Sequence, residues 1–266
     1  VAEQVARLEL MFEHLGIGAG DKVSICGKNC SNWGLAFLAT LAHRCVVVSI
    51  LPDFTTESIH ELVRHSDSKL LFVMKRLDAA QMSQLVSIIS LDNFSSIAGQ
   101  AVSPDFIDTW MKEHYPKGFS IRDVHYPTDN FDELTLINYT SGSTGSPKGV
   151  MLTHRSLSAN VVYGQTNIPN HPGQSIVSIL PLAHMFGMMF ELLYQMAGGT
   201  HINFITRNVT APIMLKAFHD VQPYMILTVP LVIEKIFKKS IFPAIQKQPV
   251  KTLWNRSEER RVGKEC

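Results

Sequence analysis

The sequence predicts an α/β protein in which mostly parallel sheets are covered by helices. Short β-branched runs alternate with amphipathic helical patterns along most of the 266 residues. Apolar residues make up 45% of the chain and charged residues 18%, the balance of a folded globular protein. Because strands that alternate with helices build parallel sheets with helices on both faces, this pattern predicts the fold class directly.

The periodicity places each element in order along the chain. An apolar stripe of alternating three- and four-residue steps predicts a helix over residues 1–15, ended by Gly16, Gly18 and Gly20. The polar stretch 118–132 indicates a boundary between two sheet-forming halves. Further helices are predicted at 32–41, 56–65, 104–114, 156–164, 185–196, 211–220 and 230–238, and strands at 22–26, 45–50, 69–74, 134–140, 150–153, 175–180, 200–205 and 224–229.

Charge and cysteine content narrow the classes of partner and compartment. The chain has 24 Lys and Arg against 23 Asp and Glu, which argues against a nucleic-acid partner. Four cysteines in a chain of this length do not form a disulfide framework, so a reducing, cytoplasmic environment is expected. The most apolar stretch, 176–197, is interrupted by Pro181, His184 and Glu191, which argues against a transmembrane segment. Contact with a membrane surface is left open.

Both ends of the chain indicate an incomplete domain. Val1 lies within the helical pattern and has no capping residue before it. The last eleven residues, RSEERRVGKEC, carry seven charges and resemble a peptide translated from vector sequence. We therefore expect residues 1–255 to be part of a larger domain, and residues 256–266 to be a non-native tail that packs against nothing.

One segment, YTSGSTGSPKGVMLTH at 139–154, carries the chemistry. An apolar strand leads into a loop rich in glycines and hydroxyl side chains, and a second strand follows. Glycines allow backbone N–H groups to converge on an anion without obstruction from a Cβ atom. Ser141, Ser143 and Thr144 add hydroxyl donors, and Lys148 supplies a compact positive charge for a terminal phosphate. The segment therefore predicts a phosphate site.

Two other interpretations of this loop are weaker. A flexible Gly/Ser linker would not normally join two core strands. A Walker P-loop requires a second glycine where this sequence has Pro147, and Ser or Thr where it has Gly149. A P-loop also opens a helix, whereas a strand is predicted here.

The loop resembles the phosphate-loop signature of the adenylate-forming superfamily, which includes acyl-CoA synthetases, luciferases and peptide-synthetase adenylation domains. The match is nearly complete over TSGSTGSPKG at 140–149. GDKV at 20–23, Trp33 and the stretch 45–73 resemble the N-terminal region of the family. LPLAHMFG at 180–187 resembles the next family motif, and VPLVIEKIF at 229–237 is similar to long-chain acyl-CoA synthetases. The implied fold is therefore the first half of the large N-terminal domain of an adenylate-forming enzyme.

The resemblance implies a fatty acid–CoA ligase with two reaction steps. A fatty-acid carboxylate attacks the α-phosphate of ATP to give acyl-AMP and pyrophosphate, and coenzyme A then takes the acyl group. Lys148 and His184 are the implied catalytic residues. The implied nucleotide-binding residues are Thr140, Ser141, Gly142, Ser143, Thr144, Gly145 and Lys148.

Some parts of the family's site have no counterpart in this sequence. The family's adenine and Mg²⁺ motif, its ribose aspartate and its C-terminal catalytic lysine are all absent, so no metal ligand is predicted and the chain alone is expected to be inactive. An aryl- or amino-acid-adenylating enzyme and a non-catalytic nucleotide-binding module stay open as alternatives. No acidic residue lies between Ser175 and Phe190 to hold a substrate amine, which favours an uncharged apolar substrate.

Weaker candidates have ordinary structural explanations. Met185, Phe186, Met188, Met189 and Phe190 are equally consistent with an acyl tunnel and with helix core. The spacing of His60 and His65 differs from a zinc-protease helix by one residue, which excludes shared ligation. Cys26 and Cys30 are predicted to be structural thiols.

Overall fold

The computed structural model describes residues 1–74, 77–126, 128–140, 148–206, 209–230, 233–234, 237–238 and 242–246. Within these residues the chain forms a seven-stranded sheet with the order β5-β4-β3-β1-β2-β6-β7, and a two-stranded sheet, β8-β9. The strands are β1 Lys22–Cys26, β2 Val46–Ile50, β3 Ser68–Val73, β4 Ser87–Ser90, β5 Ser96–Gly99, β6 Leu134–Thr140, β7 Lys148–Thr153, β8 Ser175–Ser178 and β9 His201–Phe204.

The helices lie between these strands. One of them, α6, runs through three consecutive segments, Met185–Gly187, a π-helical Met188–Leu193, and Tyr194–Ala197. Short 3₁₀ turns occur at Ala79–Met82 and Ile121–Asp123. The remaining helices are α1 Ala2–His14, α2 Ser31–Ala42, α3 Thr56–His65, α4 Pro104–His114, α5 His154–Asn167, α7 Ala211–Val221 and α8 Phe242–Ile245.

The large sheet is parallel in its interior and antiparallel at both edges. Strands β4, β3, β1, β2 and β6 pair in parallel, while β5 and β7 pair antiparallel to β4 and β6. β2 is buried along its whole length, as expected of a parallel strand that is covered on both faces. The predicted α/β class with mostly parallel sheets is confirmed.

Alternate residues of β2 enter two separate cores. Val47 joins a cluster with α1, α2 and α4, which includes Phe12 and Phe37. Val46, Val48 and Ile50 join a second cluster, to which α3 contributes residues of its apolar face. Because successive side chains of a strand point to opposite faces, one buried strand supplies both cores.

The structure corrects three element predictions. Residues 224–229 were predicted as a strand but form none: the Tyr224 N–H donates to the Ser175 carbonyl at the start of β8, and no ladder of hydrogen bonds follows. Strands β4 and β5 were not predicted. The predicted helix at 185–196 is interrupted by its π-helical segment. The helix predicted at 230–238 and the tail at 256–266 fall partly or wholly outside the described residues, and the proposed boundary within 118–132 stays a prediction.

The N-terminus of α2 has a thiol as its cap. The Cys30 Sγ accepts a hydrogen bond from the Trp33 N–H at 3.3 Å. Burial raises the pKa of this thiol, so it is neutral at physiological pH. Among the described residues no group of three His, Cys, Asp or Glu side chains is arranged to hold a metal ion.

Replacing this cap tests its contribution to stability. Sulfur is a weak acceptor, whereas serine is among the best N-cap residues. We expect Cys30→Ser to raise the free energy of unfolding by about 0.5–1 kcal/mol and Cys30→Ala to lower it by a similar amount. Urea unfolding of the two variants and the wild type measures both changes. A serine variant no more stable than the alanine variant would show that Cys30 acts by packing and not as a cap.

Candidate active site

The two strands that flank residues 141–147, β6 and β7, pair as a β-hairpin. β6 and β7 pair antiparallel, so that Thr140 lies opposite Lys148 at the open end, and both residues are exposed. The Thr140 hydroxyl points toward the Lys148 carbonyl oxygen, 3.5 Å away. Since a strand and not a helix begins at Lys148, the structure excludes the P-loop interpretation. Ser141, Gly142, Ser143, Thr144 and Gly145 lie outside the described residues.

Gly149, which follows the lysine, is required by close packing. It lies directly opposite Tyr139 in the hairpin. A Cβ atom at this position would come within 2.9 Å of the Ile137 side chain and 3.4 Å of the Tyr139 ring. Tyr139 is held in turn by a 2.7 Å hydrogen bond between its hydroxyl and the His65 Nδ1 at the end of α3. These contacts fix the direction in which Lys148 leaves the sheet.

His184 lies at an exposed position before α6. Its Nδ1 accepts a hydrogen bond from the Phe186 N–H at 3.3 Å, and it is the N-cap of the first α6 segment. His184 also lines an apolar cavity of about 470 Å³. That cavity is lined by Leu180, Pro181, His184, Phe186, Thr228, Val229 and Pro230.

A second apolar cavity neighbours the first. It has a volume of about 400 Å³ and shares Thr228 with the cavity at His184. Its other walls include Met214, Leu215 and Phe218 of α7. Of the α6 side chains named from the sequence, Phe186 lines the first cavity whereas Met188 is fully buried in the core.

One buried side chain joins the hairpin to the His184 segment. Asn138, two residues before Thr140, donates one amide N–H to the Ser49 hydroxyl at 2.7 Å and the other to the Ala183 carbonyl at 2.8 Å. Ala183 immediately precedes His184. The two sequence motifs, which are 40 residues apart, are therefore connected through a single amide group.

A second amide, in the loop between β1 and α2, holds the same segment. The Asn29 Nδ2 donates to the Ser178 hydroxyl at 2.9 Å and to the Leu180 carbonyl at 2.7 Å, and its Oδ1 accepts from the Leu182 N–H at 2.9 Å. A buried polar group is stable only when hydrogen-bonded, so these contacts specify one conformation of residues 178–183.

The segment also lies unusually close to α6. A Cβ atom at Gly187 would lie 2.4 Å from the Pro181 carbonyl oxygen, a distance that backbone cannot accommodate. The glycine of LPLAHMFG is therefore required for close approach, and the motif has a structural basis at this position as well as at the histidine.

His60 and His65 make hydrogen bonds to different partners. His60 is buried and its Nδ1 donates to the Gln81 Oε1 at 2.9 Å, while His65 bonds to Tyr139. The two imidazoles face different partners, as the i,i+5 spacing predicted.

The sequence matches a known protein family over nearly its whole length. The model of the family described as "AMP-binding enzyme" matches residues 1–258. The chain belongs to the AMP-binding enzyme family.

Its relatives in this family are distant. The chain is 25% identical to the long-chain-fatty-acid–CoA ligase heimdall of Drosophila melanogaster over 94% of its length, and 30% identical to fatty acyl-CoA synthetase B of Dictyostelium discoideum over 91%. It spans 38% and 37% of those two relatives. A red-emitting luciferase from Phrixothrix hirtus matches 90% of the chain with a TM-score of 0.76 at 21% identity, and the chain covers 46% of that luciferase. The fold is therefore that of the N-terminal domain of adenylate-forming enzymes.

The AMP-binding domain contains a buried carboxyl beside the His184 segment. Glu191, in the π-helical part of α6, is fully buried. Its Oε2 accepts hydrogen bonds from the Ser178 hydroxyl at 2.8 Å and from the N–H groups of Ile179 and Leu180 at 2.9 and 3.0 Å. Burial raises the pKa of Glu191 to about 7, against the opposing effect of these three donors.

The sequence singled out Glu191 only as a break in an apolar run, and it did not single out Asn29 or Asn138 at all. A polar residue inside an otherwise apolar strand or helix was the available signal at Asn138 and Glu191.

No helix in the described part of the chain combines the length and the apolar character needed to cross a membrane.

The pH dependence of stability tests the state of this carboxyl. Glu191 keeps its proton up to about pH 7 in the folded chain but only to about pH 4.5 when unfolded. Its contribution to stability is therefore fully present below pH 4.5 and is lost as the pH rises through 7. We expect the free energy of unfolding to fall between pH 5 and 8 by about 1–3 kcal/mol more in the wild type than in Glu191→Gln.

Comparing the wild type with Glu191→Gln cancels the contributions of titrating groups that both proteins contain. Burial and the neighbouring Glu13 also raise the pKa of Glu9 to about 7, but Glu9 is present in both proteins and cancels. Urea unfolding at several pH values supplies the two curves. Parallel curves would mean that the pKa of Glu191 is the same in the folded and the unfolded chain.

Proposed function

We propose that this chain is part of an ATP-dependent acid–thiol ligase that activates a fatty acid as acyl-AMP and transfers the acyl group to coenzyme A. The observation that carries the proposal is the bond from the Asn138 amide to the Ala183 carbonyl, because it joins the open end of the hairpin to the histidine segment. In this proposal Lys148 and Thr140 serve the phosphates of ATP, and the apolar cavity at His184 serves the acyl chain.

Lys148 and Thr140 supply the phosphate side of this site. Both are exposed at the end of a rigid hairpin, and Lys148 is the first residue of β7. When a carboxylate oxygen attacks the α-phosphorus, the bond from that phosphorus to the bridging oxygen breaks and pyrophosphate leaves with its negative charge. A fixed ammonium group beside the leaving phosphates stabilises this charge as it develops. Thr140 adds a hydroxyl donor at the same end of the hairpin.

His184 and the two apolar cavities supply the acyl side. Leu180, Pro181 and Phe186 offer an aliphatic and aromatic surface next to the imidazole. The second cavity extends this surface toward α7. Apolar cavities beside a polar group fit a fatty acid, whose carboxylate would lie by His184 and whose chain would occupy the apolar surface.

The named relatives support the choice of substrate. Two of them are a long-chain-fatty-acid–CoA ligase and a fatty acyl-CoA synthetase. Coenzyme A and Mg²⁺ enter the proposal through this similarity. The residues described here offer no acidic cluster for Mg²⁺, so no metal-dependent step is assigned to them.

A panel of acids tests the substrate class. The full-length protein that contains this chain is assayed for ATP–pyrophosphate exchange with octanoate, palmitate, benzoate and a mixture of amino acids. We expect exchange to depend on the fatty acids. Exchange that depends only on benzoate or on amino acids would reassign the protein to another branch of the superfamily, and nucleotide binding without any exchange would indicate a non-catalytic module.

Removing the hairpin lysine tests the phosphate role. We expect Lys148→Ala in the full-length enzyme to slow adenylation by roughly ten- to a thousand-fold, the range for loss of one charge-stabilising donor. Thioester formation from supplied acyl-AMP should change much less, since no pyrophosphate remains in that half-reaction. The two half-reactions are measured separately, and Lys117→Ala, which removes an exposed lysine after α4, is the control. Equal losses in both half-reactions would indicate a structural role for Lys148.

A further inference from the structure

Glu191 is a polar side chain whose position stability alone does not explain. It is fully buried in the π-helical segment of α6, and its Oε1 atom has no hydrogen-bond partner among the described residues. Burying a carboxyl with an unpaired oxygen costs free energy that an apolar side chain of similar volume would not cost. π-Helical turns also occur frequently at functional sites.

All the hydrogen bonds that Glu191 accepts come from one short segment. The Ser178 hydroxyl and the N–H groups of Ile179 and Leu180 all donate to its Oε2. These donors lie at the end of β8, just before the 180–187 motif. The carboxyl therefore holds the strand end from the α6 side.

The same strand end is held from the opposite side by Asn29. The Ser178 hydroxyl accepts from the Asn29 Nδ2 and donates to Glu191, so the three side chains form one continuous chain of hydrogen bonds. Asn29 also binds the Leu180 carbonyl and the Leu182 N–H.

Backbone hydrogen bonds connect the same segment to His184. The Pro181 carbonyl accepts from the His184 N–H at 2.9 Å, and the His184 carbonyl accepts from the Met188 N–H at 2.9 Å. His184 is therefore tied to the segment that Glu191 grips and also to the helix that carries Glu191. A change at the carboxyl moves both ends of this short path.

We propose that Glu191 is a positioning residue for the acyl side of the site: it clamps residues 178–180 between α6 and Asn29 and thereby sets the place of His184 at the mouth of the apolar cavity. The proposal rests on the proposed function for its kinetic consequence, but its structural part is independent of any activity. Glu191 acts through residues 178–184 and does not touch the substrate.

The chain offers a matched control one helical turn further on. Gln195 is also fully buried on α6, where its Oε1 accepts from the Thr200 hydroxyl at 2.7 Å and its Nε2 donates to the Phe190 carbonyl at 3.0 Å. It makes no hydrogen bond to residues 178–184 that the structure describes. Gln195→Leu therefore removes a buried polar side chain from the same helix and leaves the clamp intact.

The first experiment uses the full-length protein that contains this chain and needs no activity. Backbone and imidazole NMR resonances of His184 are compared in the wild type, Glu191→Leu, Glu191→Gln and Gln195→Leu. We expect the leucine variant at 191 to shift the His184 resonances, the glutamine variant to restore them, because its amide oxygen still accepts the three donors, and Gln195→Leu to leave them in place. Unshifted His184 resonances in Glu191→Leu would overturn the proposal. If Glu191→Leu does not fold, the His184 resonances of Glu191→Asp are compared with those of Glu191→Gln. The shorter aspartate must pull residues 178–180 toward α6 or release them, so shifted His184 resonances in Glu191→Asp support the proposal and unshifted ones overturn it.

The second experiment measures kinetics in the full-length enzyme. We expect Glu191→Leu to lower kcat/KM for the fatty acid by roughly 10- to 100-fold while the KM for ATP stays within about twofold, because only the acyl side is displaced. Glu191→Gln should recover most of this loss. Gln195→Leu should lower thermal stability without changing kcat/KM for the fatty acid relative to the KM for ATP. Equal losses for the acid and ATP, or equal effects of Glu191→Leu and Gln195→Leu, would contradict a positioning role.

Failure of the proposed function gives a different result. A wild-type enzyme that shows no exchange with any acid would refute the ligase assignment, and the NMR comparison would still decide whether Glu191 sets His184.

Discussion

The arrangement of the site depends on the buried amide of Asn138. This side chain leaves β6 within a sheet whose neighbouring strand is buried throughout, and both of its N–H groups are used, one by Ser49 and one by the Ala183 carbonyl. An unsatisfied amide in this environment would cost on the order of 1–3 kcal/mol, so the two acceptors specify where the histidine segment lies. The hairpin is joined to the segment that precedes His184 through this group.

The same principle recurs around the segment 178–184. Asn29 and Glu191 satisfy its backbone groups from two sides, and Gly187 allows α6 to approach within contact distance of Pro181. A loop with this many fixed backbone groups has few alternative conformations. The exposed His184 therefore follows a segment that is held by hydrogen bonds on both its backbone N–H and carbonyl groups.

The sequence predicted the interior of the large sheet and its helices well, because β2 and its neighbours are continuous β-branched runs and α3 and α4 have clear caps and apolar stripes. Strands β4 and β5 have only four residues each, with serine and glycine among them, and their pairing depends on neighbours that the local sequence does not reveal. Residues 224–229 have the opposite problem: this apolar run makes one hydrogen bond to the β8 edge, from the Tyr224 N–H to the Ser175 carbonyl, but it forms no strand. Short strands depend on tertiary context in both directions.

Thr140, Lys148 and His184 could be identified from the sequence because they belong to compact local motifs, and the structure describes all three at exposed positions. Asn29, Asn138 and Glu191 could not be assigned in this way. Asn29 and Asn138 act across 153 and 45 positions, respectively, and Glu191 acts across 11 to 13, through the local path between β8 and α6. The candidate site residues were therefore visible in the sequence, whereas the residues that hydrogen-bond to the neighbouring segments required the fold.

Hydrogen exchange in Asn138→Leu tests whether the buried amide joins the hairpin to the segment that precedes His184. Leucine has a similar size but cannot donate to Ala183, whereas Ser49→Ala removes only the other acceptor and serves as the matched control. If the amide joins the two halves of the site, amides in residues 178–187 should exchange about tenfold faster or more in Asn138→Leu and stay near wild-type rates in Ser49→Ala. Wild-type exchange rates across 178–187 in Asn138→Leu would contradict the account, since the histidine segment would then be held without the hairpin.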